Sequence, residues 1–184
     1  MRAYRICKRR YLENAFSGEG AFKYGGRWNS KGRRVVYTGG NPAIAVLEVI
    51  VHLDEPSDLD HLHYVLVPVN FDERLVSRPE SPPADWSADP PPLSAAAVGD
   101  AWILAGSSAV LEVPSAVVHM EKNYLINVEH SDFHKILIGD PEPFHFDPRL
   151  KKLWPSPQKS PAERSDPAAA GRARKLLSRR STSV

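Results

Sequence analysis

The chain has one cysteine, Cys7, in 184 residues, so an intramolecular disulfide is excluded and a reducing compartment fits. The ordinary role for a lone cysteine in such a position is that of a small buried hydrophobe. No run approaches the roughly 18 apolar residues that span a bilayer. The opening MRAYRICKRRYLEN carries basic residues but no apolar core of the secretory kind, so neither membrane insertion nor export is expected and the expected location is cytoplasmic. No internal repeat is present.

Several catalytic signatures are missing too. The sequence GEGAFK puts Lys23 where a dinucleotide fingerprint needs its third glycine, and it does not link a strand to a helix, so a Rossmann site is rejected. GxSxG is absent, which leaves the pair Ser115 and His119 without the nucleophile elbow of a serine hydrolase. His61 with His63, and His130 with His134, come without a Cys or Glu cluster at ligand spacing, so no metal is expected.

What is present is ordinary for one globular domain: 42% hydrophobic and 25% charged residues, in a length that can bury a conventional core. The net charge of +2 conceals an asymmetry. Residues 156–184 carry seven Lys and Arg against two acidic residues, which leaves the first 155 residues mildly acidic. The reading is a domain over residues 1–155 and a disordered basic tail over 156–184, because that tail is Ser-, Pro-, Ala- and Arg-rich and poor in bulky apolar residues. Clustered basic residues can bind phosphates, but no aromatic interleaving accompanies these, so direct nucleic-acid contact is not expected.

Along the chain, Tyr4 to Cys7 reads as a first strand, and Lys8, Arg9 and Arg10 as a solvated face. His63 to Phe71 is a strand in which Pro68 suggests an edge or a bulge. Residues 72–97, punctuated by Pro79, Pro82, Pro83, Pro90, Pro91 and Pro92, form a long irregular connection in which Trp86 is expected to dock. A helix over 95–104 turns Val98, Ala101 and Trp102 inward. Ala109 to Val118 is a strand broken at Pro114, which leaves Ser115 either aimed out of the ladder or satisfying its own backbone. Asn123 to Asn127 follows, and Phe133 to Ile138 is the expected final strand, before a Pro- and aromatic-rich segment and RLKKLW.

The richest stretch is residues 17–54. Gly18, Gly20, Gly25 and Gly26 mark tight turns or close approach of backbone to a ligand, and Arg27, Trp28 and Asn29 follow at once. Val35, Val36 and Tyr37 favour a strand. Asn41 then Pro42 opens a helix to about Leu53, the Asn side chain capping and the Pro lacking only an orphan N–H. On it Ile44, Leu47, Ile50 and Val51 form a core-facing stripe in which Glu48 is embedded. A carboxylate so placed needs a cation or hydrogen-bond donors, and Arg27 is the candidate partner. The residues alone leave two readings open: a polar site where Arg27, Tyr37 and Glu48 converge, or a structural ion pair or solvent-edge glutamate.

Four motifs in order, GGRWN at 25–29, VVYT at 35–38, LEVIVHL at 47–53, and VPSAVV at 113–118 with NYLIN at 123–127, resemble the RES domain family over roughly residues 3–140. His119 and Val128 stand where that family often has Pro. The resemblance implies an α+β fold, a compact mixed sheet with flanking helices similar to ADP-ribosyltransferases. It also implies a toxin of a type II toxin–antitoxin pair that depletes NAD+ by hydrolysis or phosphorolysis at the nicotinamide–ribose bond. By motif, Arg27, Tyr37, Glu48 and Ser115 become the catalytic set, and Arg27, Trp28, Asn29 and Tyr37 the residues that bind NAD+. NAD+ is then a substrate, with inorganic phosphate as co-substrate where phosphorolysis operates, and no resident cofactor or metal is implied. The implied partner is an Xre-like DNA-binding antitoxin, with a homodimer inside a larger toxin–antitoxin complex left open. Two other readings stay open: an ADP-ribosyltransferase acting on a protein, and a non-catalytic or nucleic-acid-binding module that uses the basic tail.

Overall fold

Strand alternation explains where the core sits. In a computed structural model that describes residues 1–53, 55, 59 and 63–153, β2 (Val35–Gly39), β5 (Val110–Pro114) and β6 (Lys122–Asn127) bury both faces. Val36, Val110, Tyr124 and Ile126 join one apolar cluster with Ala3, Val69 and Phe71. Val35, Leu111, Val113 and Leu125 join a second, with Trp28, Ala95 and Trp102. Successive residues of one strand therefore feed opposite faces, as a period of two requires.

The sheet runs β4 (Val76–Ser77), β5, β6, β2, β1 (Arg2–Lys8), β3 (Tyr64–Asn70), β7 (Leu137–Ile138), and β8 (Glu142–Phe144) also pairs with β3. All pairings are antiparallel except that of β4 with β5, so the fold is a mixed-sheet α+β one. Helices among the described residues include α1 (Glu19–Tyr24), α2 (Pro42–Ile50) and α3 (Leu93–Ala105). Among the described residues no helix is long and apolar enough to cross a membrane. The chain divides into units Met1–Pro148 and Arg149–Val184; the second is described only to Leu153, where a 3-10 turn ends. The expected boundary at 155 and the basic tail lie outside the described residues.

One joint in the sheet makes room for a site. β1 and β2 meet in a single register pair, Tyr4 with Gly39, whereas β1 pairs with β3 along its whole length. Beyond that pair the two strands share no further register pair, and residues 14–28 of the segment that joins them line the same cleft as β1 and β2.

Some sequence expectations need correction. Pro68 marks no edge, because β3 is paired on both sides; it lies between the part of β3 that pairs with β8 and the part that pairs with β7, and its carbonyl accepts from Gly139 N at 2.8 Å. Phe133 to Ile138 is only in part a strand: residues 131–135 form a 3-10 turn capped by His130 Nδ1, leaving two residues for β7, and β8 follows. Helix α1 occupies what reads as loop, held by Arg34, whose guanidinium donates to Glu19 at 2.5 Å. Helix α2 ends three residues early and Val51 is 54% exposed; Ala45 takes its place in the buried face. In α3, Ala101 faces solvent and Gly99 is buried instead. Cys7 is half-buried, and burial pushes its thiol pKa up.

Candidate functional site

β1 and β2 border a cleft of about 680 Å³, within the size range of small-molecule sites. Its walls come from β1, β2, α2, the loop from 14 to 28, Pro91, and the segment beyond β5. Arg27, Trp28, Tyr37 and Glu48 all line it.

Glu48 reaches the wall because of how α2 starts. Asn41 sits in extended backbone and its Oδ1 accepts from Ile44 N at 3.0 Å, the cap expected from the Asn-Pro pair. Its Nδ2 donates to Glu121 Oε2 at 2.8 Å, tying the helix start to the entrance of β6. Gly39 allows the helix to lie close to β2, since a Cβ there would come 2.6 Å from Ala45 N. Ile44, Ala45 and Ile50 are buried beneath, which leaves half-buried Glu48 at the border between core and cleft.

The partner of Glu48 is not Arg27. Ser115 Oγ donates to Glu48 Oε1 at 2.8 Å, and Asn123 Nδ2 donates to the same oxygen at 2.5 Å. Ser115 is fully buried just past the end of β5, and its Oγ also accepts from Val117 N and Val118 N, each at 3.2 Å. Both sequence alternatives for this serine are thus realised together: it satisfies local backbone and is aimed at the carboxylate. It lies behind the cleft wall. Both donors are neutral and both bonds fall on one oxygen, so neither of them occupies Oε2 of this cleft-lining residue.

Arg27 is half-buried and turned the other way. Its Nη1 donates to Trp86 O at 2.8 Å and Ala88 O at 2.7 Å, so the proline-rich connection is strapped down on the guanidinium. Trp86 docks as expected, stacked on Trp28 with centroids 6.0 Å apart and with the His119 ring 4.9 Å away. Three further donors of the guanidinium fork, on Nε and Nη2 and unused by the strap, fit anion recognition.

Tyr37 stands on the floor. Its hydroxyl accepts from Trp28 N at 3.0 Å and donates to Asn29 Oδ1 at 2.7 Å, and Asn29 in turn donates to Ser30 O and Ala21 O. Burial pushes the Tyr37 pKa well above the ordinary 10. Gly26 is required beside this network, because a Cβ there would come 2.5 Å from the Tyr37 hydroxyl. Asn29, 1% exposed, braces the GRWN turn from behind and does not line the cleft.

Two residues that sequence reasoning missed share the site. Arg5 lines the cleft, and its Nη1 donates from β1 to Tyr37 O of β2 at 2.8 Å. Its Nε is buried without a hydrogen-bond partner, and burial lowers the guanidinium pKa from 12.5. A cation inside the apolar strand reading YRIC was the available signal. Asn123 is the other: Asn is depleted from strands, yet one opens NYLIN. His130 and His134 are used by their own turn, His130 capping it and His134 Nδ1 bonding Ser131 O. Among the described residues no group of three or more His, Cys, Asp and Glu is placed to hold a metal ion; His61 lies outside them.

A sequence model of the RES domain matches residues 2–147. The chain is 38% identical over 152 residues to "Toxin Res" of Yersinia enterocolitica, covering 82% of this chain and 100% of that protein. It is 35% identical to "Toxin Res" of Photorhabdus laumondii, covering 73% and 86%. It is also 35% identical to the "Prs ADP-ribosylating toxin" of a Sphingobium species, covering 77% and 90%. Among solved structures, a chain of the M. tuberculosis MbcT–MbcA toxin–antitoxin complex superposes with a TM-score of 0.66 at 18% identity, covering 83% of this chain and 87% of that one, which establishes the shared fold.

Proposed function

The chain belongs to the RES domain family, and from that premise we propose that it is the toxin of a toxin–antitoxin pair and that it consumes NAD+ by breaking the nicotinamide–ribose bond. The observation that carries the reading is the carboxylate of Glu48, fixed through one oxygen by Ser115 and Asn123 at the edge of a cleft that also holds two guanidinium groups.

Loss of nicotinamide develops oxocarbenium character at the ribose anomeric carbon, and catalysis requires negative charge and acceptors preorganised at that point. Glu48 answers this with Oε2, accepting from a ribose hydroxyl and, for hydrolysis, orienting water as a general base. Arg27 and Arg5 suit the pyrophosphate or an incoming inorganic phosphate, since guanidinium forks match phosphate oxygens. Ser115 acts through Glu48. Tyr37 supports the GRWN turn through its hydroxyl and offers its ring to the substrate. NAD+ enters as substrate, and the partner proposed is an Xre-like DNA-binding antitoxin.

A second reading, transfer of ADP-ribose to a protein, is favoured by the Sphingobium relative's name and shares the first bond-breaking step. Incubation with NAD+ labelled in the ADP-ribose half, with and without phosphate, separates the acceptors by product: free ADP-ribose, its phosphorolysis product, or labelled protein. Glu48→Gln should abolish nicotinamide release while the melting temperature stays near the parent's. Parent-rate NAD+ loss in folded Glu48→Gln protein would sink the assignment.

A further inference from the structure

Asn123 has two ends, and only one of them has a partner. Its Nδ2 donates to Glu48 Oε1 at 2.5 Å. Which end faces Glu48 is fixed by chemistry, because a carboxylate oxygen accepts and cannot donate to an amide oxygen. The opposite end, Oδ1, is buried and has no hydrogen-bond partner, although the residue lines the cleft. Buried polar atoms nearly always find a partner, so an orphaned acceptor on a residue of a ligand cleft calls for a donor.

The position of Asn123 is well determined. It is 7% exposed and pairs in register with Gly39 on one side and Val113 on the other, in the middle of the sheet. With no side chain at Gly39, the amide has room beside β2 on the face that also carries Tyr37. The planar carboxamide sets its Oδ1 next to the carboxylate it holds, so a donor reaching Oδ1 must lie beside a donor reaching Glu48. Adjacent hydroxyls of a ribose ring provide such a pair.

We infer that Asn123 is a further substrate-binding and positioning residue: its amide nitrogen holds Glu48, and its Oδ1 accepts from one hydroxyl of the nicotinamide-side ribose while Glu48 takes the neighbouring one. The inference rests on the NAD+-cleaving reading. It makes the cleft a reader of a ribose diol, with the two acceptors contributed by α2 and β6.

The test is a cycle between side chain and substrate. NAD+ and two analogues, lacking the 2- or the 3-hydroxyl of the nicotinamide-side ribose, are assayed with the parent, Asn123→Ala and Asn123→Asp. Comparing the ratio of kcat/KM for NAD+ over each analogue between proteins divides out the analogue's intrinsic reactivity. Asn123→Ala should lower kcat/KM for NAD+ by about 10- to 100-fold and bring the ratio for one analogue about tenfold closer to its intrinsic value. Asn123→Asp keeps the acceptor and removes the donor to Glu48, so kcat should fall at least about tenfold while that ratio stays parent-like. A role confined to folding would leave every ratio unchanged. The inference is overturned if Asn123→Ala keeps the parent ratios for both analogues, or if Asn123→Asp keeps the parent kcat. If the parent protein does not consume NAD+, the underlying reading fails, and this one with it.

Discussion

Replacing Ser115 by Ala removes one oxygen that makes three hydrogen bonds. Ser115 is fully buried, so water cannot replace the lost group without a cavity. Two backbone donors, Val117 N and Val118 N, lose an acceptor at 3.2 Å, a length that places each at the weak end of the range. The bond to Glu48 at 2.8 Å is charge-assisted and worth more, roughly 1.5–3 kcal/mol. Asn123 still holds the same oxygen, which limits the loss at the carboxylate. Together these give roughly 2–4 kcal/mol of destabilisation, or a drop of about 5–15 °C in melting temperature for a domain of this size. Thermal unfolding followed by circular dichroism measures it. The same change frees Glu48 to swing on one remaining bond, so kcat for NAD+ loss should fall by about 10- to 100-fold with a smaller change in KM. A variant melting within about 1 °C of the parent, with kcat unchanged, would refute the claim that Ser115 holds both the turn and the carboxylate.

Three further outcomes follow from the same geometry. Because burial raises the Tyr37 pKa above the ordinary 10, the folded state keeps a proton that the unfolded chain releases, so this stability is complete below pH 10 and is lost as pH rises beyond it, at up to about 1.4 kcal/mol per pH unit; urea midpoints at pH 9 and pH 11 should differ less in Tyr37→Phe than in the parent, and equal differences would refute it. Arg27→Ala removes the donor to Trp86 O and Ala88 O, so limited proteolysis should cut the 79–92 connection faster and KM for NAD+ should rise; an unchanged cleavage rate would show that the strap is held by its tryptophan alone. Gly26→Ala drives a methyl group to 2.5 Å from the Tyr37 hydroxyl, and overpacking of that kind costs roughly 1–3 kcal/mol, readable as a lowered urea midpoint.

Much of the fold was legible where the signal is local. The Asn-Pro start of α2 acts through residues three apart, and the capping bond is where that pattern puts it. Strands β1, β2, β3, β5 and β6 announced themselves through β-branched and aromatic residues. Helix α1 did not, because a six-residue helix flanked by Gly18 and Gly25 has little intrinsic tendency to form and depends on Arg34 from beyond the loop. The candidate site was legible in membership more than in wiring. A carboxylate in an apolar stripe signals that it needs partners, but not which. Those partners are 67 and 75 residues away at the two ends of a β5–β6 turn, and only the register of the sheet brings them to Glu48. Arg27, the nearest cation in the motif order, was the natural guess; the strap of residues 86–88, which no motif describes, claims one of its nitrogens instead.

That exchange of partners has a chemical consequence. Had Arg27 paired with Glu48, the two charges would have cancelled where the proposed reaction develops positive charge, and separating them would have cost energy at that step. Here Glu48 is held by an alcohol and an amide, neither of which carries charge, so its orientation is fixed without its field being quenched. Arg27 is likewise held by two carbonyls, and Arg5 by one, neutral acceptors that fix both guanidiniums without consuming their charge. The cleft thus keeps a fixed negative group and two fixed positive ones, each positioned by uncharged neighbours. A dinucleotide with a cationic nicotinamide–ribose end and an anionic pyrophosphate presents the complementary pattern, and a ligand of one sign does not.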